Sequence, residues 1–86
     1  MTQKAIVIKL RNGLEARPVA VLVQVASKYE SSIYFEVEGK KVNAKSIMGM
    51  MSLGLHSGEE ITVTANGEDE AAAVEEIEKF LSGETA

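Results

Sequence analysis

Three segments of this 86-residue chain place an apolar side chain at every second position. From Lys4 to Leu10, Ile6, Ile8 and Leu10 share one face while Ala5, Val7 and Lys9 share the other. After Ser31-Ser32, Ile33, Phe35 and Val37 repeat the pattern, and Ile61, Val63 and Ala65 alternate with Thr62 and Thr64. Successive side chains of a strand point to opposite sides, so each segment reads as a strand with one apolar face. Such strands fit an antiparallel sheet that packs one face on a core and turns the other to water.

The segments between the strands supply the cover. Asn12-Gly13 ends the first strand with turn chemistry, and Pro18 suits the first turn of a helix, where a missing N–H costs nothing. Val19, Leu22, Val23 and Ala26 follow at i, i+3, i+4 and i+7, which predicts an amphipathic helix of about three turns. Glu38-Gly39 suggests a hairpin from the second strand into Lys40–Ala44. Ser46 opens a short helix that Gly54 would stop, and a last helix begins near Asp69. Glu68, Asp69 and Glu70 sit at that helix's positive end, with Val74, Ile77 and Leu81 along its apolar side. The predicted order is β-α-β-β-α-β-α in one domain spanning residues 1–86, an α+β open-faced sandwich.

Composition narrows the function. Without cysteine the chain has neither disulfides nor thiolate metal ligands, and a reducing cytoplasmic setting fits. The N-terminus runs straight into the alternating pattern, and no apolar run reaches the roughly 18 residues of a membrane span. A net charge of −4, with two tyrosines, two phenylalanines and no tryptophan, argues against direct nucleic-acid binding. No cofactor motif or metal-ligand spacing is present in the sequence.

Two stretches carry chemistry. At the entrance to the first helix, "N-G-L-E-A-R-P-V-A" (Asn12–Ala20) places Glu15 and Arg17 where free N–H groups attract anions. A cation there opposes the helix dipole, so Arg17 either meets a carboxylate or phosphate, or lies in solvent or pairs with Glu15. In "N-A-K-S-I-M-G-M-M-S-L-G" (Asn43–Gly54), Ser46 is a natural N-cap. It is also a place where an added phosphate is electrostatically welcome, with Lys40, Lys41 and Lys45 just before it. By 100° steps Met50 and Leu53 lie on one side of the short helix, and Ile47, Met48 and Met51 on another. With Met50 and Leu53 inward, the Ile47/Met48/Met51 group is expected at the surface as an adaptable docking patch; the alternative is that these methionines fill a loose core.

Along nearly its whole length the chain resembles the HPr family of the bacterial phosphotransferase system. The marks are "G-L-E-A-R-P" at Gly13–Pro18, "K-S-I-M-G-M-M-S-L" at Lys45–Leu53 and "G-E-D-E" at Gly67–Glu70. The resemblance implies four antiparallel strands in the order 1-4-2-3 with three helices on one face. In phosphocarrier members the first motif reads G-L-H-A-R-P, and its histidine accepts a phosphoryl group from enzyme I. Glu15 stands at that position here, while the arginine is kept as Arg17. Imidazole nitrogen forms a transferable phosphoramidate, a role a carboxylate fills poorly. His56 lies in the Leu55–Gly58 connection, outside the motif, and reads as a solvated loop residue.

Loss of the histidine beside an intact serine motif resembles the Crh branch of the family. That likeness implies phosphorylation of Ser46 by HPr kinase/phosphorylase, followed by action as corepressor of a CcpA-type repressor in carbon catabolite repression. Ile47, Met48 and Met51 would supply apolar contacts, Arg17 and the Ser46 phosphate polar ones, with Lys40 and Lys45 alongside. The repressor rather than this chain would touch DNA, and the chain would not be an enzyme. The alternatives are a phosphocarrier with an unusual acceptor, an acid–base enzyme using Glu15, or a binding module for another regulatory partner. The first strand lies at a sheet edge in the family order, so a monomer could exchange that strand into a dimer, with Asn12-Gly13 as the hinge.

Overall fold

The computed structural model describes residues 1–9, 16–53 and 58–83, and for residues 16–18 the backbone alone. Its elements run β1 (Thr2–Val7), α1 (Ala16–Ser27), β2 (Ser32–Val37), β3 (Lys40–Asn43), α2 (Ile47–Met51), β4 (Glu60–Asn66) and α3 (Glu70–Leu81). The strands form one antiparallel sheet in the order β1-β4-β2-β3. Both the element order and the 1-4-2-3 sheet agree with expectation.

One-sided burial follows the alternation. Ile6 of β1, Ile33 and Phe35 of β2, and Ile61, Val63 and Ala65 of β4 are buried under the helices. α1 meets them with Val19, Leu22, Val23 and Ala26, and α3 with Ala73, Val74, Ile77 and Leu81. Burial of each of the larger of these side chains contributes about 1.5–3 kcal/mol, which is why a chain this short closes around a single core. Tyr34, Glu36, Thr62 and Thr64 occupy the other side of the sheet and keep partial exposure. There Gln3 Nε2 donates to Thr64 Oγ1 at 3.1 Å.

β1 begins and ends earlier than the Lys4–Leu10 alternation suggests. Its ladder with β4 closes at Val7↔Glu60. The Ile8 amide still reaches Glu59 O at 2.9 Å, but the Lys9 amide is taken by Leu81 O, 2.7 Å away at the end of α3. The carbonyl of α3 captures the donor that would have continued a strand. Ile8 is nonetheless fully buried; Leu10 and the Asn12-Gly13 turn lie outside the described residues.

The β2–β3 hairpin turns on two residues, with Val37 opposite Lys40. Glu38 (φ 49°) and Gly39 (φ 83°) both have positive φ, the requirement of a primed turn that matches the twist of the strands. Gly39 adopts it freely, whereas Glu38 is strained there.

A second glycine is fixed by close approach. At Gly67 a Cβ atom would stand 2.5 Å from Ser31 Oγ and 2.7 Å from Ser31 Cα. Ser31 is buried and donates its hydroxyl to Asp69 Oδ1. Asp69 also accepts from the Glu30 amide (2.9 Å) and the Ser31 amide (3.0 Å). Rather than capping α3 with its side chain, Asp69 therefore clamps the α1–β2 connection onto the start of α3. These bonds, the Ser31 hydroxyl foremost, hold its carboxyl below the ordinary range.

Candidate functional site

The short helix α2 is set on the sheet by Met50, which is fully buried, and by the half-buried Leu53 packed against the core. One helical step is about 100°, so fixing Met50 inward turns its neighbours out. Ile47 is 48% exposed, Met51 49% and Met48 85%. The expected split of the helix is thus present, and three large apolar side chains stand side by side in water.

Ser46 begins this helix. Its backbone is extended (φ −107°, ψ 115°), and its Oγ accepts the Gly49 amide at 3.1 Å, a serine N-cap closing on the third helical residue. Gly49 matters to the geometry, because a Cβ there would lie 3.3 Å from Ser46 Oγ. Its role went unpredicted, although the three-residue spacing from Ser46 carries the signal. At the other end, the Ser52 amide bonds Met48 O, and its hydroxyl bonds Gly49 O at 2.6 Å.

The lysines expected near Ser46 are each engaged elsewhere. Lys45 Nζ donates to Tyr29 O (2.7 Å), just past the C-terminal end of α1. Lys40 Nζ donates to Ser52 O (3.2 Å) at the C-terminal end of α2. Both ammonium groups sit where a helix dipole is negative. Lys41 lies 4.9 Å from the centre of the Tyr34 ring, with its paired residue Glu36 on the side of the sheet away from the helices. Lys40 and Lys45 thus fasten the frame around α2, whereas Lys41 does not.

Arg17 falls in the first turn of α1, but its side chain, together with Glu15 and His56, lies outside the described residues. α1 does pack against α2. Beyond this site, a cavity of about 400 Å³ is lined by Tyr29, Ala72, Glu75, Glu76 and Lys79. Its polar groups are already matched: the Tyr29 hydroxyl donates to Glu76, which also holds Lys28 Nζ at 2.6 Å. That hydrogen bond, with desolvation behind it, pushes the Tyr29 hydroxyl up to about 12. Among the described residues no group of three His, Asp or Glu side chains could hold a metal ion. No helix among them is long and apolar enough to cross a membrane.

A family model described as "PTS HPr component phosphorylation site" matches residues 2–83. The chain belongs to the HPr family. It is 46% identical to the HPr-like protein Crh of Bacillus subtilis, over 98% of this chain and 99% of that one. The HPr-like protein Crh of Halalkalibacterium halodurans is 49% identical, over 98% of this chain and all of that one. Among solved structures, phosphocarrier HPr of Bacillus anthracis superimposes with a TM-score of 0.91 at 45% identity, covering 93% of this chain and 95% of that one. A crystal structure of B. subtilis Crh, described as a swapped dimer, gives 0.80 at 45% identity and covers 100% and 99% of the two chains. The HPr-family chain is thus similar both to a phosphocarrier and to the Crh proteins over almost its entire length.

Proposed function

We propose that this chain is a Crh-like regulatory protein: HPr kinase/phosphorylase phosphorylates Ser46, and the phosphoprotein docks as corepressor on a CcpA-type repressor in carbon catabolite repression. The observation that carries this reading is the placement of the Ser46 hydroxyl at the N-cap of a five-residue helix that carries three exposed apolar side chains, Ile47, Met48 and Met51. A phosphate on Ser46 would add charge at the edge of an apolar patch. The patch supplies area, the phosphate supplies the polar contact that makes docking conditional, and Arg17 is the cation of this chain proposed to join it.

Glu15 argues against a sugar-transport phosphocarrier, since it occupies the position of the family's phosphoryl-accepting histidine. The deciding experiment is a pair of labelling reactions. ATP with HPr kinase is expected to add one phosphate, at Ser46; phosphoenolpyruvate with enzyme I is expected to add none. Label at Glu15 in the second reaction would instead establish the phosphocarrier reading.

The swapped dimer described for B. subtilis Crh has a counterpart reading here. Among the described residues β1 occupies a sheet edge and pairs with β4 alone, so it can leave one protomer and complete the same edge of another.

A further inference from the structure

Three methionines fall within four residues of α2, and the fold gives them opposite surroundings. Met50 is sealed in the core at 0% exposure; Met48 at 85% and Met51 at 49% face water. We infer that Met48, and after it Met51, is a site of reversible oxidation by peroxide that switches off the docking patch. The consequence for docking rests on the proposed role of that patch; the modification site itself does not.

The chemistry is self-contained. A lone pair on the thioether sulfur attacks one oxygen of hydrogen peroxide, and the S–O bond forms as the O–O bond breaks. The attacked oxygen's proton passes to the departing hydroxide, which leaves as water; sulfur is oxidised to the sulfoxide and the peroxide is reduced. The reagent must reach the sulfur, so accessibility orders the three sites: Met48 first, Met51 next, Met50 only when the helix lifts from the sheet. The sulfoxide replaces a flexible apolar side chain with a polar one. Two of the three apolar members of the patch are thioethers and the third, Ile47, is inert. Oxidation therefore changes most of the docking surface while Met50 keeps α2 anchored, so the protein stays folded. Reduction of the sulfoxide by a methionine sulfoxide reductase restores the thioether.

The test has two arms. In the first, the intact protein is exposed to graded hydrogen peroxide and each methionine is followed by tandem mass spectrometry. The expected order is Met48 before Met51, with Met50 unmodified in folded protein; oxidation of Met50 at the same dose as Met48 overturns the inference. In the second arm, affinity of the Ser46-phosphorylated protein for the CcpA-type repressor is measured before and after peroxide. A loss of tenfold or more, reversed by the reductase, is expected. The double variant Met48→Leu/Met51→Leu is read as the ratio of its own affinities before and after treatment, which is expected to be one. That variant still carries Met1, exposed and outside the patch, so its constancy excludes Met1 as the cause. Binding that survives full oxidation of Met48 and Met51 overturns the switch alone. Absence of binding before peroxide overturns the docking reading and the switch with it, while the oxidation map is judged on its own arm.

Discussion

Two methionines separated by one residue should give opposite answers to the same truncation. Met50 is fully buried beneath α2, whereas Met48 is 85% exposed. Met50→Ala removes a side chain from the core and leaves a cavity, costing about 2–5 kcal/mol of folding stability. Met48→Ala removes almost nothing that folding buries, so its stability should stay within about 0.5 kcal/mol of the parent. Binding reverses the ranking. If docking covers Met48, burial of a side chain of this size contributes about 1.5–3 kcal/mol, and because alanine retains part of that, the loss should be about 1–2 kcal/mol. That corresponds to roughly five- to thirty-fold in Kd. The assay pairs urea unfolding of both variants with titration of each Ser46-phosphorylated protein into the repressor. For Met50→Ala, affinity is compared at a temperature where it is still folded. A Met48→Ala protein with unchanged affinity, or one destabilised as much as Met50→Ala, would refute the division of α2 into an anchoring and a docking side.

Gly67→Ala is expected to destabilise by roughly 1–3 kcal/mol, because the new methyl would overlap Ser31, whose hydroxyl is committed to Asp69; a urea midpoint matching the parent would contradict this. Stability should also fall in acid. The Thr2 hydroxyl first, then the N-terminal ammonium and the Gly67 amide, draw the Glu70 carboxyl down from 4.5 to about 2. A carboxyl depressed by folding stabilises above its unfolded pKa and loses that contribution as pH falls through the folded value. The window is therefore about pH 4.5 to 2, and Glu70→Gln should flatten the urea-midpoint profile within it; an equally steep profile in the variant rules the cause out. Light scattering across protein concentration tests exchange of β1: a dimer mass that grows with concentration is expected, and a monomer mass throughout removes the idea.

The sheet and its cover were legible because the strands are one-sided. Alternation at Ile33/Phe35/Val37 and Ile61/Val63/Ala65 has only one way to bury its apolar half, and Val19, Leu22, Val23 and Ala26 match it at helical spacing. Strand order was not readable from period; it came from the family resemblance. Features made by distant backbone groups left no local trace. The end of β1 is set by a carbonyl at Leu81, and Asp69 looks like an ordinary acid at a helix start until its bonds to Glu30 and Ser31 are seen.

The same division holds at the site. Ser46 as a cap, and Ile47, Met48 and Met51 as a surface group, follow from spacing within one element. The engagements of Lys45 with Tyr29 O and Lys40 with Ser52 O depend on how α1, β3 and α2 meet. Sequence proximity placed both lysines beside Ser46 as expected partner contacts; the fold adds that each ammonium bonds a carbonyl at a helix end. On the proposed reading, a phosphate on Ser46 would act in surroundings where each of these two cations already bonds a carbonyl.

The most direct test of that account is the affinity of a CcpA-type repressor for this protein with and without phosphate on Ser46, at fixed physiological salt. The phosphorylated form is predicted to bind at least tenfold more tightly. Kinase-treated Ser46→Ala, which gives up the phosphate and about 1 kcal/mol of helix capping, is predicted to bind no better than the unmodified parent. Equal affinity of the two parent forms would contradict the central claim.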